Sequence, residues 1–403
     1  MSRGRVLVAM SGGVDSSVTA YVLQQEGYEC VGATMRLTCS RSFGDEGGRT
    51  CCSLADIADA EAVCARLGIP YHVLDMRDIF ERTVIDKFVH SYQQGYTPNP
   101  CIDCNRFLKF GALAEYALEH DFDAIATGHY AQIQSIAPNT ELNAYPLLNS
   151  IQTRINNESF WTLRRALDST KDQSYVLYAL TQHALAHTLL PLGSLIKERD
   201  VRRIAAEQGF INAEKQDSQG ICFVPDGNYA HYIEEHTGKA LQPGDILNTQ
   251  GEVIGQHLGA LNYTIGQRKG LGVAMLHPVY VVDIDAKANT VTLGEESDLM
   301  SSGLLADDWI WSVPAHAIHE LLDEDYNAHA EGLPVLARIR YHQEPQPARL
   351  LWDTETELPH RRVRINFDTD QRAIAPGQAV VVYAGDVVLG GGTAIQAFPR
   401  HNA

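Results

Sequence analysis

The string Ser11-Gly12-Gly13-Val14-Asp15-Ser16-Ser17 follows a short apolar run, Arg5 to Met10, and leads into a segment of helical period, Ser16 to Glu26, that Gly27 ends. No other feature narrows the fold as much. A strand that enters a glycine turn and leaves as a helix is the opening unit of a parallel α/β sheet. The two glycines permit a tight turn and close backbone approach, and the free N–H groups at the helix start attract an anion. No lysine follows the glycines, which excludes the Walker type of phosphate loop. A bare glycine pair here would be an ordinary turn; the whole string with its Asp and two Ser is more than that.

The first half continues in alternation. Cys30 to Met35 reads as a strand and Leu54 to Leu67 as a helix. Gly68-Ile69-Pro70 breaks that helix before a third strand, Tyr71 to Leu74. Helices over Ile79–Tyr92 and Phe107–His120 precede the strand Ala124 to Thr127. The pattern predicts a Rossmann-like parallel sheet covered on both faces. Two polar stretches, Thr38 to Thr50 and Gln134 to Ser159, read as surface loops, the second long enough for a mobile insertion. After about Pro225, short alternating runs such as Tyr280–Ile284, Thr290–Leu293 and Ala379–Tyr383 are spaced by turn residues. They predict a small connecting domain followed by a β-barrel. The expected division is 1–226, 227–298 and 299–403.

No apolar run approaches the ~18 residues of a membrane span, and no leader pattern opens the chain. A cytoplasmic protein with no membrane partner is expected. In that compartment the eight cysteines are better read as ligands or reactive groups than as a disulfide framework. The net charge of −18 argues against indiscriminate nucleic-acid coating but leaves room for a local basic face. Candidates are Arg164 with Arg165, Lys197 to Arg203, Arg268 with Lys269, and Arg361 to Arg364; each alone reads more readily as solvated surface than as an RNA contact.

Cys101-Ile102-Asp103-Cys104 follows Asn99-Pro100 and precedes a helix expected from near Asn105. That would place Cys104 at a helix N-terminus, where the thiolate is favoured. Cys222 lies in a polar loop, Asp217-Ser218-Gln219-Gly220-Ile221-Cys222-Phe223. Cys30 and Cys64, inside a strand and a helix, read as small core residues.

The loop at Ser11–Ser17 resembles the pyrophosphatase-type loop of enzymes that split ATP to AMP and pyrophosphate. The resemblance places Ala9, Met10, Ser11, Gly12, Gly13, Val14, Asp15 and Ser16 around the phosphates, with Mg2+ on the leaving group. It also gives Met35 an adenine contact (a core role fits equally) and Gly128 backbone access to the nucleotide. Further strings carry a more specific likeness: Thr97-Pro98-Asn99-Pro100 with Cys104-Asn105, Thr127-Gly128-His129-Tyr130, Lys171-Asp172-Gln173-Ser174-Tyr175 and Gly220-Ile221-Cys222-Phe223. Thr264 to Gly272 and Pro376-Gly377-Gln378-Ala379 extend it into the second half. In combination and in order they resemble the tRNA-specific 2-thiouridylase family over nearly the whole chain, which implies an adenine nucleotide hydrolase type of first domain.

That resemblance implies adenylation of the wobble uridine 2-oxygen and sulfur delivery by cysteine. Cys222 carries a persulfide received from a sulfur-relay protein or cysteine desulfurase. Cys104 attacks it, leaving a Cys104–Cys222 disulfide that external thiol reduces. Asn99, Pro100 and Cys101 would border the target base, and Lys171, Asp172, Gln173, Arg340 and Tyr341 would contact tRNA. Several family members carry Asp where this chain has Cys101. The change creates three thiols, Cys101, Cys104 and Cys222, able to ligate a [4Fe-4S] cluster that would replace the persulfide cycle. A zinc site completed by Cys51 or Cys52 fits less well, since that pair lacks zinc spacing. Two other classes share parts of the pattern. An ATP-dependent amide or guanidino synthetase needs no distant cysteine pair, and a non-enzymatic tRNA-binding or iron–sulfur sensor protein needs no phosphate loop.

Overall fold

The computed structural model describes residues 3–37, 54–217, 220–328, 331–354 and 361–399. The Thr38–Thr50 loop, Cys51 and Cys52 lie outside them.

The strands β1 (Arg5–Ala9), β2 (Glu29–Arg36), β3 (Tyr71–Asp75) and β4 (Ala124–Ala126) form a parallel sheet. Along β1, Val6 and Val8 join one core cluster while Leu7 joins another. Pleating alone sends neighbours to opposite faces, so the strand is covered on both. Helices Val14–Gln25 and Leu54–Leu67 cover the Val6/Val8 face. The helical runs 77–93 and 100–119 cover the other, through Phe80, Phe88, Leu108 and Leu113. Both runs contain π-helical stretches, Glu81–Ile85 and Cys104–Ala112.

The strand order, once β7 (Thr188–Leu189) is added, is β3-β2-β1-β4-β7. The order reverses direction between β1 and β4, so the crevice for ligands opens where the phosphate loop and Gly128 leave their strands.

The expected mobile insertion is instead ordered. β5 (Gln132–Ile136) and β6 (Phe160–Arg164) pair as antiparallel strands with the helix Pro146–Arg154 between them. Leu148, Ile151 and Ile155 enter the barrel's core cluster, which is what holds the segment in place.

A four-stranded middle sheet combines β8 (Gly244–Asn248), β9 (Val253–His257), β10 (Tyr280–Asp285) and β11 (Thr290–Gly294). The last part is β12 (Met300–Trp311), β13 (Leu333–Arg338), β14 (Gln346–Trp352), β15 (Val363–Arg372), β16 (Ala379–Ala384) and β17 (Val387–Pro399). These run β12-β15-β14-β13-β16-β17, and β12 pairs again with β17 to close a barrel. β6 adds to the outside of β17 at Val387↔Arg164 and Val388↔Leu163, so the first domain shares a sheet with the barrel.

Candidate active site

One cavity collects the ATP-loop candidates and the thiols. Ala9, Met10, Ser11, Asp15, Ser16, Met35 and Gly128 line it, and so do Pro100, Cys101, Cys104, Gln173 and Cys222. Gly12, Gly13 and Val14 shape the loop without lining the cavity. Gly12 has φ +71°, and a Cβ there would stand 2.3 Å from the Asp56 carbonyl oxygen. Only glycine fits that turn. Ser16 Oγ donates to the Gly13 carbonyl at 3.0 Å and accepts from Ser11 N–H at 3.2 Å. From beneath, Asn212 Nδ2 and Lys215 Nζ each donate to the Gly12 carbonyl at 3.0 Å.

Asp15 is held on both oxygens, by Tyr130 Oη at 2.8 Å and Lys197 Nζ at 2.9 Å. Lys197 is fully buried and also donates to Asp217 at 2.5 Å, whose other oxygen accepts from Lys171 at 3.0 Å. Burial alone would raise the Asp217 carboxyl, but donation by Lys197 and Lys171 outweighs it and leaves it below the ordinary range. Lys197 therefore does not belong to a basic RNA surface, as its cluster with Arg203 suggested. Its charge is consumed between two carboxylates.

The other candidate basic clusters are likewise largely engaged in ion pairs within the molecule. Arg164 pairs with Asp386, Arg165 with Glu344 and Asp172, Arg361 with Asp323 and Arg362 with Asp307. Arg268 and Lys269 are exposed.

The helix bearing the first two thiols starts earlier than expected. Asn99 is its N-cap, accepting from Cys101 N–H at 3.2 Å, and Pro100 is its first residue. Asn-Pro is a cap-and-start pair; as a result Cys101 sits in the first turn and Cys104 just past it. Cys101 is exposed, and Cys104 and Cys222 are half-buried. Cys104 and Cys222 pack against the same core cluster. Cys30 and Cys64 are indeed core residues, their thiols pushed up to about 11 and about 12 by burial.

Asp172 is buried and accepts from Arg338 at 3.0 Å, Ser174 Oγ at 3.0 Å and Ala166 N–H at 3.1 Å. It thus joins the first domain to β13 rather than presenting an open carboxylate. Gln173 Oε1 accepts from Tyr130 N–H at 2.9 Å. Arg340 donates to the Ala373 carbonyl at 2.8 Å, and the Tyr341 ring packs edge-on to Tyr175. Asn99 is tied in by its neighbour: Thr97 N–H donates to the Pro376 carbonyl at 2.8 Å and Gln378 Nε2 to the Thr97 carbonyl at 2.7 Å. Two strings far apart in sequence therefore meet at the base-binding candidates.

Sequence reasoning missed Tyr130, Asn212, Lys215 and Lys109 as parts of the site. Among the described residues, the one group that brings three metal-ligand atoms within 4.8 Å of one another is Glu81, Asp86 and His236, none of which lines the cavity. Among the described residues, the three cavity thiols do not form such a group.

The parallel sheet, the phosphate loop at its reversal point and the thiols across the cavity define an α/β nucleotide-binding enzyme fold with a barrel appended. Residues 4–226 match the tRNA methyl transferase HUP domain, 230–295 the tRNA methyl transferase PRC-barrel domain and 301–394 the aminomethyltransferase beta-barrel domain. The tRNA-specific 2-thiouridylase MnmA of Acetivibrio thermocellus is 44% identical over 97% of this chain and 99% of that one. Its counterpart in Symbiobacterium thermophilum is 45% identical over 96% and 91%. The chain belongs to the tRNA-specific 2-thiouridylase family. Among solved structures, the U34-tRNA thiolase NcsA from Methanococcus maripaludis with its [4Fe-4S] cluster is 17% identical, with a TM-score of 0.31 over 59% of this chain and 68% of that one. So remote a likeness carries no argument about chemistry.

Proposed function

We propose that this protein is an ATP-dependent tRNA 2-thiouridylase acting on the wobble uridine, with Cys222 as the persulfide carrier and Cys104 as the attacking thiolate. The observation that carries this is one cavity lined both by Ser11, Asp15 and Ser16 and by Cys104 and Cys222. The matched domain descriptions speak of methyl transfer, but full-length relatives are named thiouridylases. A phosphate loop and two thiols lining one cavity fit the second chemistry.

Uridine O2 attacks the α-phosphorus, the bond from phosphorus to the β-phosphate oxygen breaks, pyrophosphate leaves with the electron pair, and the N3 proton passes to solvent. Cys104 thiolate then attacks Cys222 Sγ. A Cys104–Cys222 disulfide forms, and the terminal sulfur departs as hydrosulfide. Hydrosulfide adds to C2, AMP leaves with the C2–O electron pair, and the sulfur's proton moves to N3. An external dithiol reduces the disulfide. Asp15, the carboxylate lining the cavity among the described residues, fits Mg2+ held together with the phosphates. ATP thus ends as AMP and pyrophosphate.

The tRNA face is read as Asn99, Pro100, Cys101, Lys171, Gln173, Arg340 and Tyr341, with Asp172 holding Arg338 in place. Among the described residues no helix is long and apolar enough to cross a membrane; the tRNA substrate and thiol chemistry fit the cytoplasm. A cysteine desulfurase or sulfur-relay protein supplies the persulfide. Incubation with unmodified tRNA, Mg-ATP and a persulfide donor tests the reading. Pyrophosphate release should require tRNA, and 2-thiouridine should require both ATP and donor. Thiolation without ATP consumption would reject it.

A further inference from the structure

Lysines of the first domain are nearly all neutralised. Lys87 pairs with Asp103, Lys171 with Asp217, Lys197 with Asp15 and Asp217, and Lys215 with Asp56 and Asp59. Lys109 differs. Its ammonium donates to Asn105 Oδ1 at 3.0 Å and lies 3.4 Å from His129 Nε2, both uncharged acceptors. Among the described residues it forms no ion pair with a carboxylate, and it is the one Lys or Arg that lines the cavity. A cation kept in a site without a counter-ion is suited to a negative charge that arrives or develops there.

Its position is fixed by groups that are themselves fixed. Asn105 is buried, and its Nδ2 donates to the Val176 carbonyl at 2.9 Å. The His129 ring is buried, with Nδ1 2.7 Å from Thr127 Oγ1. Burial first, and Lys109 second, hold His129 well below its ordinary value, so the ring stays neutral and Nε2 can accept. An ammonium has three donors, and these two partners leave a third for a ligand.

The fold also places Lys109 between the two halves of the chemistry. His129 follows Gly128, where a Cβ would stand 2.8 Å from the Asp15 carbonyl carbon and 2.9 Å from Ser16 N, so this strand end rests on the phosphate loop. On the other side, Cys104 and Lys109 lie five residues apart in the π-helical stretch Cys104–Ala112. The i→i+5 register brings residues at that spacing towards one face, whereas an α-helix would turn them apart. Both line the cavity.

We propose that Lys109 is a catalytic residue of the adenylation step, its ammonium stabilising the charge that develops on the α-phosphate as uridine O2 attacks. This rests on the thiouridylase reading above. Lys109 transfers no proton. It stays charged while the O2–phosphorus bond forms, the bond to pyrophosphate breaks, and the N3 proton goes to solvent. On that reading the loop holds pyrophosphate and the residues around Cys104 hold the base, so the reacting phosphorus falls within the cavity that Lys109 lines.

The test compares wild type, Lys109→Met, Lys109→Gln and Lys109→Arg in tRNA-dependent pyrophosphate release, with kcat and the KM for ATP measured separately. Near-ultraviolet circular dichroism checks folding. Lys109→Gln can keep a bond to Asn105 and so tests the charge alone if Lys109→Met does not fold. The expected result is a kcat lower by about 10²–10³-fold in the neutral variants, a KM for ATP changed only a few-fold, and partial recovery in Lys109→Arg. Release at the wild-type rate would overturn the proposal. So would loss of thiolation alone, which would assign Lys109 to the thiols, or a change confined to KM. A wild type that releases no pyrophosphate with tRNA would reject the adenylation reading itself, separately from Lys109.

Discussion

Lys197 Nζ donates to Asp15 Oδ2 at 2.9 Å across 182 positions of sequence, and the same ammonium holds Asp217, five positions before Cys222. The phosphate loop and the segment leading to the persulfide candidate are thus clamped by one buried cation. Replacing Lys197 by Met should leave two carboxylates facing each other. A loss of about 3 kcal/mol in denaturant unfolding is expected, together with loss of pyrophosphate release. Asp15→Ala should stay folded, because Lys197 keeps Asp217, and should lose adenylation. A folded Asp15→Ala that releases pyrophosphate normally would remove the loop assignment.

The clamp also predicts a pH response. The Asp217 carboxyl is lowered in the folded state despite its burial, because Lys197 and Lys171 donate to it. A depressed acid contributes stability in full above its unfolded value of about 3.9. That contribution is lost as pH falls through the lower folded value. Wild type should therefore melt above Asp217→Asn at pH 7, and the gap should close below about pH 4. A gap that widens in acid would contradict the assignment.

Gly128 offers a test of how the strand end places the phosphate loop. An alanine Cβ would meet the Asp15 carbonyl carbon at 2.8 Å and Ser16 N at 2.9 Å, so the phosphate loop must shift. Pyrophosphate release should fall by about 10²-fold in Gly128→Ala, while the far-ultraviolet spectrum stays native.

Asp172 and Arg338 form a buried pair at 3.0 Å, with side chains 1% and 6% exposed. Asp172→Ala leaves the guanidinium without its carboxylate and should cost about 3–5 kcal/mol in denaturant unfolding. Adding Arg338→Met should recover part of that loss. If Asp172→Ala unfolds as wild type does but binds tRNA weakly, Asp172 is a direct RNA contact instead.

The parallel sheet was readable because β1, β2 and the helix Leu54–Leu67 carry their periodicities locally. The loop and thiol candidates were readable as strings. What escaped depends on partners distant in the chain. Nothing near Lys197 announces that Asp15 and Asp217 will enclose it, so its basic neighbours suggested a surface. The polar composition of 134–159 hid Leu148, Ile151 and Ile155, whose helical spacing faces a barrel that forms much later in the sequence. Asn99-Pro100 did carry a legible signal, a cap followed by a first-turn proline, and reading it so would have placed Cys104 beyond the helix start.

The most direct test of a shared cavity for ATP and sulfur chemistry is tRNA thiolation, with pyrophosphate release measured in the same samples, by the three single Cys→Ser variants prepared without oxygen and assayed for iron. Cys104→Ser and Cys222→Ser should release pyrophosphate in a tRNA-dependent manner and form no 2-thiouridine, while Cys101→Ser should retain substantial thiolation. Full thiolation by Cys104→Ser or Cys222→Ser would contradict the account, and loss of both iron and thiolation in Cys101→Ser would replace the persulfide with a cluster.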